Sequence, residues 1–461
     1  MLPLTIGETA KVLDAELVRG DPSRIATAVT TDSREVKPGA LFFALAGERY
    51  DGHHFTGEAL DRGAAGVVVS RAVPATGAAS VVLLVPDVLA ALGKLARYIR
   101  RLAGVFLIGV TGSTGKTSTK DVMAAVLAVR YRVLATRGNL NNEIGVPLTL
   151  LRLETGHKVA VVEMAMRGAG EIAALADVCR PDAAVITNIG ETHLERLGSV
   201  RAIARVKGEI LDFIPPEGFA VLHDESPFIS EEAGRCRGRV VFFGTGSGAA
   251  VRLVGYNAAD EGGRFRVAAE DREEEYFLPV PGFHNALNAV AAIAVAREMG
   301  LTTDEIRDGL SGVRLSDMRS EIRKIGSLTV INDAYNANPA SMRAALALLK
   351  QMAGGRRRVA VLGNMLELGE RAVDAHREVG RAAADCADVV VAVGDLAQGI
   401  AAGAVSAGVS AGKVFPCADA ASAAAVLKSV LRGDEVVLVK ASRGMHLETV
   451  VSALETGGVE S

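Results

Sequence analysis

The chain has 461 residues, of which 49% are hydrophobic and 23% charged, with 4% aromatic and no Trp. That length exceeds what one hydrophobic core can hold and predicts about three domains. The formal charge of −3 argues against a surface built to coat nucleic acid, while leaving room for a local basic pocket.

The chain starts Met-Leu-Pro-Leu-Thr-Ile-Gly-Glu, with no basic stretch ahead of an apolar one. No signal peptide is expected, and no window reaches about 18 strongly apolar residues, so no membrane span is expected either. A cytoplasmic monomer is the expectation. Up to about residue 100 the pattern mixes short strands and helices, with buried strands predicted at Gly63 to Ser70 and Ser80 to Val85. An apolar run from Val105 to Val110 leads directly into Thr111-Gly112-Ser113-Thr114-Gly115-Lys116-Thr117, and a helical pattern follows to about Arg130. Lys158 to Met164 and Asp182 to Ile189 are further β-rich runs between Ala-rich helices. This alternation implies a largely parallel sheet covered by helices.

From about 240 to 282 the sequence turns short, polar and Gly-punctuated, as an antiparallel flank does. A helix is predicted from Asn285 to Met299. The pattern restarts at about Leu315, with strands predicted at Leu328 to Asp333, Val359 to Gly363, Val389 to Gly394 and Val436 to Lys440. This second α/β unit lacks GxGxxG after its first strand, which speaks against a dinucleotide fold in the strict sense. The four cysteines (Cys179, Cys236, Cys386, Cys417) lie far apart with no CxxC pair, so neither a disulfide framework nor a zinc cluster is indicated.

The segment from Gly112 to Thr117 sits between a predicted strand and a predicted helix, the context a phosphate loop requires. Its glycines allow backbone N–H groups to crowd around phosphate oxygens, and the helix start adds partial positive charge. Lys116 can reach the β- and γ-phosphates, and the Thr117 hydroxyl can ligate magnesium. The generic pattern has Gly at position 110, where this chain has Val110. Glu163 ends a strand beside this loop, where an open α/β sheet presents ligands to substrate. His193 follows the next strand, and by itself reads equally as a polar surface residue. Lys207, in Ala-Arg-Val-Lys-Gly-Glu, reads locally as a solvated helical lysine.

The spelling TGSTGKT resembles the loop of the Mur ligase family and of its folylpolyglutamate synthetase relatives. The resemblance spans nearly the whole chain. Thr31-Asp32-Ser33-Arg34, with Asp51-Gly52-His53-His54-Phe55, is similar to the family's uridine-nucleotide-binding end. Pro281-Gly282-Phe283-His284-Asn285-Ala-Leu-Asn288 is similar to its nucleotide segment. Asn139-Leu-Asn141-Asn142-Glu143-Ile-Gly145 and Asn332-Asp333-Ala-Tyr335-Asn336-Ala-Asn338-Pro339 resemble segments of the member that adds D-alanyl-D-alanine. Asp317-Met318-Arg319 departs from the Pro-Gly-Arg of many relatives. Leu362-Gly363-Asn364-Met365-Leu-Glu367 has Asn364 where many have Asp, and no role is assigned to it.

The resemblance implies an α/β protein of three domains: a small α/β N-terminal domain over 1–100 that binds the UDP substrate, a central P-loop ATPase-like parallel sheet over 101–314, and a C-terminal Rossmann-like domain over 315–461. It implies ATP and Mg²⁺. Thr111, Gly112, Ser113, Thr114, Gly115, Lys116, Thr117, Asn285, Asn288, Arg319 and Asp333 are then expected around ATP, and Ser33, Arg34, Asn142, Tyr335, Asn336 and Asn338 around the substrates. Lys116, Glu163, His193 and Lys207 carry the catalytic assignment. Thr117 would serve one magnesium, while Glu163, His193 and a carbamylated Lys207 would serve a second. The implied reaction joins UDP-N-acetylmuramoyl-tripeptide to D-alanyl-D-alanine through an acyl phosphate. A sister amide ligase, adding diaminopimelate or lysine or extending folate, is the nearest alternative. A phosphate-loop switch protein is a more distant one.

Overall fold

The computed structural model describes residues 1–74, 80–259 and 261–456; the last five residues of the expected C-terminal domain lie outside that range. Three principal sheets follow one another along the chain. The first holds Glu16–Arg19, Val82–Leu84, Gly66–Val69, Ala40–Phe43 and Ala28–Thr30 in spatial order, parallel except where Glu16–Arg19 meets Val82–Leu84. Helix Val88–Ala103 leaves this sheet with Asp87 as its N-cap and Gly104 in a left-handed C-terminal position. Its buried face (Leu92, Leu95, Ala96, Ile99) belongs to a core continuous with the central sheet.

The central sheet has nine strands, ordered Arg272–Leu278, Gly262–Ala269, Val251–Ala259, Arg239–Gly244, Phe219–His223, Ala183–Ile186, Phe106–Thr111, Val159–Glu163 and Val133–Ala135. The seven strands from Val251–Ala259 to Val133–Ala135 are mutually parallel, and the two outermost pairings at the other edge, Val251–Ala259 with Gly262–Ala269 and Gly262–Ala269 with Arg272–Leu278, are antiparallel. The antiparallel flank expected from residue 240 therefore begins only where Val251–Ala259 meets Gly262–Ala269: Arg239–Gly244, with its apolar Val241 and Phe243 buried, pairs in parallel with both Phe219–His223 and Val251–Ala259. Phe106–Thr111 has the next strand of the chain, Val133–Ala135, on one side two places away, and the later Ala183–Ile186 directly on the other. Strand order reverses there, which opens a crevice at the carboxyl ends. Helices Lys116–Ala128 and Phe283–Glu298 pack together across one face, and Ala289 to Ala296 are all buried. Small alanine side chains permit that close helix approach.

The third sheet runs Glu321–Ile325, Leu328–Asn332, Val436–Lys440, Arg358–Gly363, Val389–Val393 and Val414–Cys417, antiparallel only in its first pair. The strands Val359 to Gly363, Val389 to Val393 and Val436 to Lys440 are wholly buried, as both faces are covered by helices. Here too the order reverses, between Leu328–Asn332 and Val436–Lys440, and their carboxyl ends face the central crevice.

Candidate active site

The crevice is a cavity of about 750 Å³ lined by both the central and the C-terminal units. Its floor is the phosphate loop. Gly112 (φ +147°) and Gly115 (φ +77°) both hold conformations that L-residues rarely adopt. A methyl group on Gly112 would meet the Thr187 Oγ1 at 1.9 Å, and one on Gly115 the Asn288 Oδ1 at 2.5 Å. The loop is held from beneath by Asn188. Its Oδ1 accepts from the Thr114 N–H (2.9 Å), and its Nδ2 donates to the Thr114 Oγ1 (2.7 Å) and carbonyl (3.1 Å). Ser113 Oγ is likewise tied to the Gly190 N–H and carbonyl. Such a pre-formed cradle, opening the helix at Lys116, is an anion site by construction.

Lys116 is half-buried, and its Nζ donates to the Gly112 carbonyl at 2.8 Å. Burial, and after it Arg319, push its pKa below the ordinary lysine value, while Glu163 opposes them. Beside it the Thr117 hydroxyl donates to Glu163 Oε2 (2.8 Å), and Asn141 Nδ2 donates to Glu163 Oε1 (2.8 Å). Hydroxyl, carboxylate and amide oxygens gathered at the mouth of a phosphate cradle form the hard donor set that magnesium takes. Asn142, expected at the substrates, turns its Oδ1 to the Gly145 N–H (2.9 Å) while lining the cavity; Asn141 is the neighbour that reaches the carboxylate.

His193 lines the cavity in a left-handed backbone conformation (φ +55°), and its Nδ1 meets Glu367 Oε2 of the C-terminal unit at 2.8 Å. Glu367 is itself left-handed (φ +64°), and the His193 hydrogen bond holds its carboxyl below the usual range. A second contact, Arg371 to Glu191 at 3.5 Å, crosses the same boundary. Lys207 lies behind the cavity wall, 2% exposed, with no hydrogen-bond or ion-pair partner among the described residues. Burial, and then repulsion from Lys116, drive its pKa well below the lysine norm. The reading of Lys207 as a solvated helical residue is thereby corrected: the lysine sits on the buried stripe of helix Val200–Gly208, with Ile203, Ala204 and Val206.

Across the crevice, the Arg319 guanidinium stacks over the Tyr335 ring at 4.3 Å. Asp333 accepts from the Ser320 N–H (3.1 Å) and pairs with Lys440 Nζ at 2.5 Å. Lys440 also donates to the Asn336 carbonyl (2.9 Å). Asn338 serves as the N-cap of helix Pro339–Met352 in a reciprocal capping arrangement with Ser341. Asn285, whose Nδ2 donates to the Pro281 carbonyl (2.8 Å), and Asn288 line the cavity from helix Phe283–Glu298. The structure thus gathers Ser113 to Thr117, Asn142, Glu163, His193, Asn285, Asn288, Arg319, Asp333, Tyr335, Asn336 and Asn338 around one cavity. Thr111 ends the central strand with its hydroxyl buried and unpartnered. Ser33 and Arg34 stand apart in the N-terminal unit, where Ser33 donates to Glu58 (2.8 Å) and Arg34, 79% exposed, pairs with Asp32.

Against this geometry stand the comparisons with known proteins. The model of the Mur ligase middle domain matches residues 110–296, that of the Mur ligase glutamate ligase domain 318–443, and that of the Mur ligase family catalytic domain 26–100. The Bacillus subtilis (strain 168) protein named UDP-N-acetylmuramoyl-tripeptide–D-alanyl-D-alanine ligase is 39% identical over 448 residues, covering 95% of this chain and 97% of the relative. The chain belongs to the Mur ligase family. The Escherichia coli (strain K12) family member of the same name is 35% identical, covering 99% of this chain and all of the relative. Among solved family structures, MurF from Acinetobacter baumannii superposes with a TM-score of 0.90 at 31% identity, covering 98% and 99% of the two chains. The MurF ligase of Thermotoga maritima in complex with ADP does so with a TM-score of 0.83 at 30% identity, covering 93% and 97%. As a member of this family the chain is an ATP-dependent ligase.

Asn141, Asn188, Glu367 and Lys440, in the cavity wall or its supports, receive no site role from the sequence, although Asn141 and Glu367 lie within the segments that carry the resemblance. Asn188 and Lys440 carried a usable signal, since Lys440 ends a buried apolar strand and Asn188 follows one by two residues, both at carboxyl ends. Glu367 carried none, because its partner His193 is 174 positions earlier in the chain.

Proposed function

We propose that the chain joins D-alanyl-D-alanine to UDP-N-acetylmuramoyl-tripeptide at the expense of ATP, with 1–100, 101–314 and 315–461 as its working units. The observation that carries this reading is the Gly112 to Thr117 cradle, facing Arg319, Asp333 and Lys440 across one cavity. It is supported by full-length likeness to relatives bearing that name.

ATP's triphosphate lies on the backbone N–H groups of the loop, and Lys116 exchanges the Gly112 carbonyl for phosphate oxygens. A peptide carboxylate oxygen attacks the γ-phosphorus, the bond to the β-bridging oxygen breaks, and ADP leaves. Two anions approach each other in this step, and Lys116 and Arg319 offset their repulsion. Magnesium, when held by Thr117 and Glu163, adds charge neutralisation at the phosphates. The dipeptide amine then attacks the acyl carbon; a C–N bond forms, the C–O bond to phosphate breaks, and the amine loses a proton. His193 and a carbamylated Lys207 are the further metal-side residues of this reading. Burial holds the unpartnered Lys207 amine well below the lysine norm, which favours the neutral form that adds carbon dioxide. The cavity between two units excludes water from the acyl phosphate on closure.

The test is an ATP-dependent phosphate-release assay with the UDP-tripeptide, with and without D-alanyl-D-alanine. Release that requires both is expected. Release with diaminopimelate, lysine or glutamate as the sole amine would replace the proposal by a sister activity.

A further inference from the structure

A second cavity, of about 600 Å³, lies along the edge strand Val133–Ala135, away from the loop glycines. Its charged lining comprises Lys120, Arg132, Arg137 and Arg152 against Asp121 and Glu154. Both carboxylates are already committed. Asp121 pairs with Lys120 at 2.5 Å and accepts from the Ser316 N–H and hydroxyl, each at 2.8 Å. Glu154 pairs with Arg132 at 2.6 Å. Two guanidiniums remain. Neither Arg137 nor Arg152 makes a side-chain hydrogen bond or ion pair among the described residues, and Arg152 Nη1 is buried from solvent without any partner. Burial, and then repulsion from Arg137, hold the Arg152 pKa below the arginine norm, against the weaker opposing pull of Glu154. An unpaired buried guanidinium nitrogen is costly, and two guanidinium forks that line one polar cavity without a carboxylate bonded to either suit an oxyanion.

We propose that this cavity is a binding site for a phosphate-class oxyanion, held by Arg137 and Arg152 and separate from the nucleotide cradle. Inorganic phosphate and the phosphoryl end of a nucleotide share the chemistry it recognises. The site touches the catalytic wall through one short chain of bonds. Lys120 Nζ donates to the Thr136 carbonyl (2.9 Å), and Thr136 Oγ1 accepts from the Glu163 N–H (3.0 Å). It also touches, through Asp121, the Ser316 segment that leads into the C-terminal unit.

The experiment uses full-length protein saturated with a non-hydrolysable ATP analogue and Mg²⁺, which fills the phosphate loop. Inorganic phosphate is then titrated by calorimetry, and ADP in a parallel arm. One further binding event is expected for phosphate, weakened about tenfold or more in Arg152→Met and in Arg137→Met. Affinity for the analogue should stay unchanged in both. Tighter binding in the ADP arm assigns the site to a nucleotide phosphoryl group, and equal or weaker binding assigns it to free phosphate. Arg137 is exposed, so its replacement leaves the fold intact even where that of Arg152 does not. Absence of a phosphate event on the analogue-loaded protein overturns the proposal, as does an event unmoved by Arg137→Met.

Discussion

Replacing Gly112 by Ala puts a number on the cradle. The φ of +147° at this position is essentially a glycine conformation, and holding an L-residue there costs about 1–3 kcal/mol. The new methyl would lie 1.9 Å from Thr187 Oγ1 and 3.1 Å from the Thr187 backbone nitrogen. The hydroxyl must therefore rotate away, losing its 2.5 Å hydrogen bond to the Thr114 carbonyl. That loss is worth about 1 kcal/mol, because Asn188 still serves the same carbonyl. The sum, roughly 2–4 kcal/mol, weakens nucleotide binding by about 30-fold to several hundred-fold if the loop must regain its shape around phosphate. Calorimetric titration of ADP measures it directly. The double variant Gly112→Ala with Thr187→Ala removes the 1.9 Å contact and leaves the backbone strain. Part of the affinity should then return, with about 1–2 kcal/mol of coupling between the sites. Wild-type affinity in Gly112→Ala, or strict additivity in the double variant, would refute the role given to the cradle.

Lys116→Ala should abolish phosphate release while shifting the thermal midpoint little, since among the described residues the ammonium bonds only the Gly112 carbonyl; near-normal turnover removes Lys116 from the mechanism. Lys207→Ala should be inactive yet partly rescued by short-chain carboxylates, assayed as phosphate release; full activity without additives rules out the carbamate. Glu435, 0% exposed at its side chain, accepts from Arg357 and from the Arg432 and Gly433 N–H groups. Glu435→Ala leaves those donors stranded and should destabilise the C-terminal unit by about 3 kcal/mol in denaturant unfolding. Despite burial, those hydrogen bonds hold the Glu435 pKa below its ordinary value of 4.5, so its stabilisation is present above about pH 4.5 and is lost as pH falls through the lowered value. Unfolding of wild type and Glu435→Ala at pH 7 and pH 3 tests the sign: the gap between them should narrow in acid, and a gap that widens contradicts it.

Local chemistry made the phosphate loop legible before any fold was known. An apolar strand, two glycines, a lysine and a threonine at fixed spacing already constrain what the backbone can bind, because these groups lie within a few residues of one another, even though Thr187 and Asn188, which brace the loop, do not. The alternation of apolar runs and Ala-rich helices likewise specified parallel sheets, and Leu328 to Asn332 and Val436 to Lys440 were predicted to within one residue. The short edges, Glu321–Ile325 and Val414–Cys417, were not found. Half-exposed strands without long apolar runs leave little periodic signal.

What the tertiary structure alone decided is which distant groups share an environment. Lys207 looks like any helical lysine in sequence; only the packing of its helix strips it of water and sets it near Lys116. His193 acquires meaning from Glu367, and Asp333 from Lys440, each partner more than 100 positions away. Asn142 and Asn141 are indistinguishable by composition, and the turn between them selects which one reaches Glu163. Covalent neighbours set the backbone's local preferences, but electrostatic environment depends on distance in space, and that exists only once the sheets have stacked.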